Sequence, residues 1–219
     1  MRLAREDIRD VNARRLVLAV AATLAITATA TACGGGSGNP RIGGATQGIS
    51  IEVPSSFSAV DLTSETTAVN SIAKLGLTSA AVNTLVPQAK QFQQRHAALA
   101  VDAKGTASSG QFPDNIAAYC LNSGTALVGS SAVPTIKKQL TNQFGGLQVS
   151  NVSTDNASVG GVPGVETTYL LSSSTGTLAA GELEVAPKPQ QFCFVFLTTS
   201  PSTFSVSILS TAAQTAQFT

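Results

Sequence analysis

Cys33 is the residue whose sequence context most clearly indicates a chemical reaction, the covalent modification of its thiol. It ends an apolar run, Leu16 to Ala32, that is rich in alanine and threonine, and a basic pair, Arg14 and Arg15, precedes the run. A basic stretch, an apolar core and small residues before a cut site form an export signal. A thiol placed directly after the cut can accept a diacylglycerol, which would anchor the chain to a membrane without spanning it.

The segment Ala30-Thr31-Ala32-Cys33 resembles the lipobox of bacterial lipoproteins, with alanine where leucine is usual at position 30. The resemblance implies that residues 1–32 are a signal peptide. It also implies that Cys33 carries the acyl groups that hold the protein on the extracytoplasmic face of the cell membrane. Two alternatives stay open: a secretory signal cut near Ala32, which leaves a free thiol, and an uncleaved anchor of marginal length.

Other residues have types that catalysis uses, but their partners are missing. Ser71 and Lys74 have the S-x-x-K spacing of a serine nucleophile, yet the companion S-D-N and K-T-G motifs do not occur. His96, the single histidine, is predicted to face solvent near the carboxyl end of a helix. Glu182 and Glu184 alternate with apolar residues, which predicts a solvated strand face rather than an acid–base pair. No catalytic residue and no enzymatic activity are therefore predicted.

The remaining cysteines, Cys120 and Cys193, each lie in a strand-like run. Outside the cytoplasm an even pair of cysteines is usually a disulfide, so we expect them to bridge and their strands to lie close in one sheet. Two buried, reduced thiols are the alternative. Metal ligation is not expected because a third and a fourth soft ligand are missing. The sequence has no phosphate-binding loop or calcium loop, so no cofactor is expected.

The composition excludes several classes of partner. Only 11% of the residues are charged and the formal net charge is +1, so the chain lacks the basic footprint of a nucleic-acid-binding protein. It also lacks the polybasic patch that attracts anionic lipid. The 219 residues are enough for one domain with its own core after a signal peptide has been removed.

Beyond the signal, the chain is predicted to consist of a linker and one domain. Residues 33–48 are rich in glycine, which predicts a lipid-anchored flexible tether. The domain is expected over residues 49–219. Helical spacing of apolar residues predicts helices over 64–75, from 78 or 79 onward, over 130–145, and from Pro201 onward. Pro87 is expected to kink the second helix or to begin a new one.

Alternating apolar residues bounded by turn residues predict the strands. They are expected at 49–54, 97–101, 116–121, 148–152, 164–171, 178–185 and 192–197. The last of these is apolar on both faces, which predicts a sheet covered on both sides. Asp102 and Asp114 are predicted to lie in turns. The order of elements predicts an α+β fold, an α/β/α sandwich with a mainly antiparallel central sheet flanked by helices.

This layout resembles the LpqN/LpqT family of actinobacterial (mycobacterial) lipoproteins, which have a Mog1/PsbP-like fold. The matching segments are IEVPSSF at 51–57, AKLGLTS at 73–79, LAVD at 99–102, VGGVPGVETTY at 159–169 and PSTF at 201–204. The resemblance spans nearly all of the chain beyond the signal. It implies a non-catalytic lipoprotein of the cell envelope that is linked to construction of the mycolic-acid layer, and it supplies no catalytic residues.

The expected function is that of a binding or accessory protein. Its ligand would be an envelope lipid or glycolipid, or its partner a membrane transporter of the envelope. The expected site is an apolar cleft between helix and sheet with a few polar groups at its mouth. Its candidate lining residues are Phe92, Phe112, Tyr119 and Phe144, for which ordinary core packing is the alternative role.

Two other functions stay open from the sequence. One is a docking module for another protein, which would use an exposed apolar patch or a sheet edge and would need no small-molecule site. The other is a hydrolase of an unrecognised type, although a hydrolase normally needs a nucleophile beside a base, and the sequence shows no such pair.

Overall fold

The structure, a computed structural model, describes residues 38–103, 112–122, 138, 140, 147–174 and 176–219. Among them the strands are β1 (Arg41–Gly44), β2 (Ile49–Glu52), β3 (Phe57–Val60), β4 (Ala98–Asp102), β5 (Asp114–Leu121), β6 (Gln148–Val159), β7 (Val162–Ser173), β8 (Gly176–Lys188), β9 (Gln191–Thr199) and β10 (Gln217–Phe218). The helices are α1 (Glu65–Ala73), α2 (Ser79–Gln94) and α3 (Val206–Thr215). Lys138 and Leu140 are also helical. The rest of the helix predicted over 130–145, the predicted signal peptide and Cys33 lie outside the described residues.

A seven-stranded antiparallel sheet forms the centre of the domain. Its strand order is β3-β4-β5-β9-β8-β7-β6, and each neighbouring pair is antiparallel. A second sheet, β1-β2-β10, brings the two ends of the described domain together. The predicted α+β class with a large antiparallel sheet is therefore confirmed, whereas the small sheet was not predicted.

The alternation along β9 explains why the large sheet is covered on both sides. Cys193, Val195 and Leu197 are completely buried, and they pack in one cluster with α3 and the three-stranded sheet. We call this side the α3 face. On the opposite side, the α2 face, Leu99 and Ala117 pack against apolar residues of α1 and α2. Both faces of the central strands are thus removed from water, as the apolar sequence of β9 predicts.

Local sequence determines where the first two helices begin. The Ser64 hydroxyl accepts a hydrogen bond from the Thr67 N–H, and the Thr78 hydroxyl accepts one from the Ala81 N–H. Each satisfies an amide that the helix itself leaves without a partner. Both predicted starts are confirmed, and α2 runs as one helix that contains Pro87.

The predicted start of the last helix is wrong. Residues 201–203 form a turn in which the amides of Thr203 and Phe204 donate to the Ser200 carbonyl. The helix begins only after Ser205. Proline suits a turn as well as a first helical turn, so Pro201 alone did not distinguish the two.

The domain begins earlier than predicted, because residues 41–44 form β1 and not part of a flexible tether. Ile42 is buried, and the Arg41 guanidinium donates to the Thr215 carbonyl (2.9 Å) at the end of α3. Arg41 also forms an ion pair with Glu52 at 3.2 Å. Gly43 has a φ of 85°, and a Cβ atom there would collide with the Ile49 carbonyl. Glycine at this position therefore reflects a close approach of two backbones and not flexibility.

Asp102 and Asp114 also differ from their predicted places in turns. They are directly opposite each other at the ends of β4 and β5. The Asp114 carboxylate accepts a hydrogen bond from the Ser200 N–H at 3.0 Å. Burial raises the pKa of Asp114, although its hydrogen bonds to Thr203 and Ser200 oppose that rise. These aspartates thus have structural partners at the end of the sheet.

The β6–β7 hairpin provides a stability prediction with a matched control. Its turn residues Gly160 and Gly161 have φ values of 56° and 80°, as a type I′ turn requires. A Cβ atom on Gly160 would also lie 2.6 Å from the Ala216 carbonyl oxygen and 2.9 Å from the Phe218 ring, whereas a Cβ atom on Gly161 would meet nothing within 4 Å. The two glycines therefore share the backbone requirement and differ in packing.

We expect Gly161→Ala to lower the free energy of unfolding by about 1 kcal/mol, which is the cost of a left-handed alanine. Gly160→Ala should lower it by about 3 kcal/mol, because overpacking adds to that cost. Urea unfolding of the two variants and the wild-type protein measures the difference. Equal losses would show that the Ala216 and Phe218 contacts are irrelevant to stability.

Candidate functional site

A cleft of about 360 Å³ opens on the α2 face. It exists because that face is covered by two separate apolar clusters. In one, Leu85 and Ala89 of α2 pack on Leu99 and Ala117 of the sheet. In the other, Leu140 packs with residues of β7 and β8. The cleft lies between them, above the central strands β5, β9 and β8.

The cleft walls come from α2, from the central strands and from an apolar rim. The residues of α2 and its C-cap are Gln88, Gln91, Phe92 and Arg95, the central-strand residues are Tyr119, Glu182, Phe196 and Thr198, and the rim residues are Phe112, Leu147, Leu171 and Leu178. Seven of these twelve side chains are aromatic or aliphatic, and the other five lie near the end of α2 and on the strands β8 and β9. This combination is typical of a site for a small amphiphilic molecule.

The structure places three of the four predicted lining residues at this cleft. Phe92, Phe112 and Tyr119 line it, and Phe144 lies outside the described residues. Tyr119 is buried and stacks on Phe194, with ring centroids 5.3 Å apart. Phe92 and Phe112 are partly buried. Each of these rings therefore packs against the protein and also exposes part of its surface to the cleft. Ligand binding by them stays a prediction.

The end of α2 positions the cation of the cleft. The Ala97 N–H donates to the Phe92 carbonyl and the His96 N–H to the Gln93 carbonyl, both at 2.9 Å. This pair of hydrogen bonds is a Schellman motif, in which His96 takes the left-handed position with a φ of 53°. His96 is exposed, as predicted, and its contribution is to end the helix at Gln94, which makes Arg95 the C-cap residue.

Arg95 extends from this helix end to the ring of Tyr119. Its Nη1 atom donates to the Tyr119 hydroxyl at 2.7 Å, and its guanidinium carbon lies 5.6 Å from the centre of the ring. The pair combines a charge-assisted hydrogen bond with a cation–π contact. Burial raises the pKa of Tyr119, and the charge of Arg95 opposes that rise.

Glu182 differs most from its predicted environment. It is 7% exposed and lies at the base of the cleft, so the predicted solvated face is wrong at this position. Phe196 of β9 and Thr167 of β7 are its direct neighbours across the sheet. In the described part of the chain, no hydrogen bond reaches its carboxyl group. Burial, with a smaller contribution from Glu184, raises the pKa of Glu182 to about 8, while Arg95 opposes the rise.

Glu184 shares the face of Glu182 but is only partly buried. Burial raises its pKa as well. Tyr169 on β7 is buried near both glutamates, and burial followed by their negative charge raises its pKa. Two carboxyl groups and two phenols thus face one guanidinium among the described residues at this end of the cleft. Burial therefore favours the protonated form of Glu182.

Sequence reasoning missed the polar residues of the cleft. Gln88, Gln91 and Arg95 recur at helical spacing, which places them on one stripe of α2. That polar stripe, beside the apolar stripe of the same helix, was the available signal. No comparable local signal marks Glu182, because strand alternation shows which residues share a face and not whether the face is covered.

The other residues whose types could serve catalysis, Ser71 and Lys74, have structural roles instead. The Ser71 hydroxyl accepts a hydrogen bond from the Asp61 N–H at 3.1 Å, and Lys74 is the exposed C-cap of α1. Within the described ranges, no three His, Cys, Asp or Glu residues lie close enough to hold a metal ion. No helix among the described residues is both long and apolar enough to cross a bilayer.

The disulfide lies on the α3 face, away from the cleft. Cys120 of β5 and Cys193 of β9 are direct partners in the sheet, with Cα atoms 3.9 Å apart, and their sulfurs are bonded. The predicted bridge is therefore confirmed, and so is the expectation that the two strands are close neighbours. The bridge joins residues that are 73 positions apart in the sequence.

Comparison with known proteins identifies the fold. No protein-family model matches the chain, and no curated protein is significantly similar to it in sequence. The solution structure of cyanobacterial PsbP (CyanoP) from Synechocystis sp. PCC 6803 is similar, with a TM-score of 0.51 and 12% identity over 85% of this chain and 97% of that one. The Ran-binding protein Mog1p of Saccharomyces cerevisiae has a TM-score of 0.47 and 10% identity over 82% of this chain and 95% of its own. The likeness to CyanoP supports the predicted Mog1/PsbP-like fold and, at this identity, shows nothing beyond the fold.

Proposed function

We propose that this protein is a non-enzymatic lipoprotein of the cell envelope, of the LpqN/LpqT type, that binds part of a lipid or glycolipid in the cleft on its α2 face. The observation that carries the proposal is the cleft itself. Its volume of about 360 Å³ lies within the range of small-molecule sites. Its apolar rim suits acyl chains, and its polar end suits a head group.

The sequence around Cys33 supports the membrane side of the proposal. A diacylglycerol on Cys33, with the further acyl group of a mature lipoprotein, would hold the domain on the extracytoplasmic face of the membrane. Because the folded domain begins at Arg41, only the segment from Cys33 to Pro40 separates the anchor from β1. A fully extended segment of that length spans about 28 Å, which keeps the domain near the lipid surface.

Lipid extraction tests the cleft. We expect organic extracts of the full chain, purified from an actinobacterial host, to contain one defined lipid or glycolipid at a nearly stoichiometric level by mass spectrometry. Leu178→Trp should empty the extract, because the indole would fill the rim. Val206→Trp is the matched control, since Val206 is exposed on α3.

The same extracts distinguish the alternatives. If the wild-type extract is empty, or if Leu178→Trp retains the lipid, the cleft is not a lipid site. Cross-linking of the full chain in cells would then test a docking role with a protein such as an envelope transporter.

The anchor is tested separately. In the same host, we expect the N-terminal peptide of the wild-type protein to begin at Cys33 and to carry the mass of the acyl groups, and we expect Cys33→Ser to lose that mass. A wild-type protein with an unprocessed N-terminus would instead indicate an uncleaved anchor, and a free thiol at Cys33 would indicate a secretory signal.

A further inference from the structure

We infer that the cleft selects amphiphiles that carry an ammonium group, and that Glu182 is the residue that recognises this group. The inference rests on the proposed function and names the chemical class of its ligand. It begins from a buried acidic side chain at the base of the cleft. Glu182 is more than nine-tenths buried, and no hydrogen bond from the described residues reaches its carboxyl group.

A buried carboxyl group is costly to ionise without a partner, so its ionised form gains most from a ligand that brings both a donor and a positive charge. An alkylammonium group brings three N–H donors and one positive charge, and hydrogen bonds between charged groups are the strongest of their kind. An alcohol brings one neutral donor. A carboxylate brings a charge of the same sign as an ionised Glu182.

Aromatic rings around the same space add a second source of selectivity. Phe92, Phe112, Tyr119 and Phe196 line the cleft together with Glu182. Ring faces attract cations through their quadrupoles, most strongly where water is excluded. The guanidinium of Arg95 lies 5.6 Å from the centre of the Tyr119 ring, so one of these rings already accepts a cation in this structure.

The titratable groups that face Glu182 leave room for a further cation. They are Glu184 on its own strand, the neutral phenols of Tyr119 on β5 and Tyr169 on β7, and Arg95 at the C-cap of α2. β9 contributes Phe194, Phe196 and Thr198 on this face, none of which titrates. Among these groups Arg95 is the single cation, and it is exposed and hydrogen-bonded to Tyr119. Two ionised glutamates would therefore exceed the positive charge within the described part of the cleft.

Ammonium binding should also change the protonation of the site. Burial raises the pKa of Glu182 to about 8, so the free protein holds a proton there at pH 7. An ammonium group beside the carboxylate favours the ionised form and lowers its pKa. Binding should therefore release up to one proton to the buffer, whereas an alcohol should release none.

Calorimetry of the full chain, held in amphipol, tests these expectations with octylammonium, octanol and octanoate as probes at pH 7. Buffers with different ionisation enthalpies report the number of protons released, and empty amphipol corrects for partitioning. We expect octylammonium to bind at least about ten-fold more tightly than octanol, which corresponds to about 1.4 kcal/mol. About one proton should be released for each octylammonium bound.

Three variants locate the effect. Glu182→Gln should abolish both the preference for octylammonium and the proton release. Glu166→Gln is the matched control, because Glu166 lies on the neighbouring strand β7 opposite Leu183, whose side chain packs on the α3 face. Arg95→Met should increase the affinity for octylammonium, since it removes a like charge from the mouth of the cleft.

The outcomes separate this inference from the proposed function. Octanol or octanoate binding as tightly as octylammonium, or an unchanged preference in Glu182→Gln, overturns ammonium recognition and leaves the amphiphile cleft intact. Failure of all three probes to bind overturns both. The proton release of the wild-type protein needs no variant, so the inference stays testable even if Glu182→Gln misfolds.

Discussion

Replacing Glu182 with glutamine should abolish most of the loss of stability that the wild-type protein shows between about pH 5 and about pH 8. The pKa of Glu182 rises from an ordinary value of 4.5 to about 8 in the folded protein. The folded state therefore binds the proton more tightly than the unfolded state does. The resulting stabilisation is complete below the ordinary pKa and is lost as the pH rises through the folded-state value.

The expected effect is large because the carboxyl group is almost fully buried. One unit of pKa difference corresponds to about 1.4 kcal/mol, so the wild-type protein should lose on the order of 4 kcal/mol over this range. Glutamine has nearly the same shape and cannot ionise, so Glu182→Gln should resemble the wild-type protein at pH 5 and be more stable at pH 8. Glu184 and Glu166 also have pKa values raised by burial, and they should leave a smaller slope of the same sign.

Urea unfolding of the full chain at several pH values checks this prediction. Glu65→Gln is the control, because Glu65 is exposed at the first turn of α1 and makes only a surface ion pair with Lys90. Parallel pH profiles for the wild-type protein and Glu182→Gln would show that the carboxyl group of Glu182 is hydrated or paired in solution.

Breaking the Cys120–Cys193 bridge should lower the free energy of unfolding by about as much as the ionisation of Glu182 does. Closing a loop of this length, 73 residues, contributes about 4 kcal/mol in the chain-entropy model. The bridge also links β5 to β9, the central strand of the seven-stranded sheet. We therefore expect Cys120→Ser and Cys193→Ser to lower the thermal midpoint by similar amounts.

The double variant distinguishes a bridge from two separate thiols. If the bridge accounts for the effect, the double variant should be about as stable as either single variant, because one change already removes the cross-link. Reduction should destabilise the wild-type protein similarly and leave the variants unaffected. Additive losses would indicate that each cysteine contributes through packing, with the larger loss at the completely buried Cys193.

The two faces of the large sheet have different roles, because one contributes stability and the other forms the cleft. On the α3 face, the disulfide and the core under α3 hold the central strands together. On the α2 face, the same strands present Tyr119, Glu182 and Phe196 to a cleft. Strand alternation allows this division, since adjacent residues of β8 and β9 point to opposite sides. The stability that the α3 face provides can thus offset the free-energy cost of burying polar groups on the α2 face.

Features that depend on near neighbours in the chain could be predicted from the sequence. Ser64 and Thr78 cap helices through amides three residues away, and the alternation in β9 shows that both of its sides are apolar. Apolar residues that recur at regular intervals also predicted the α+β class and most strand positions. The bridge was predictable because cysteine chemistry limits the possible partners to two residues.

Tertiary structure alone decided the features that depend on residues distant in sequence. β1 is ordered because Ile42 is buried in the core and Arg41 reaches the end of α3. Its glycine content gave no sign of either contact. Glu182 alternates with apolar residues whether its face meets water or protein, and only the covering elements determine that it is buried. Its protonation, and with it the chemistry proposed for the cleft, follows from desolvation, which no local pattern encodes.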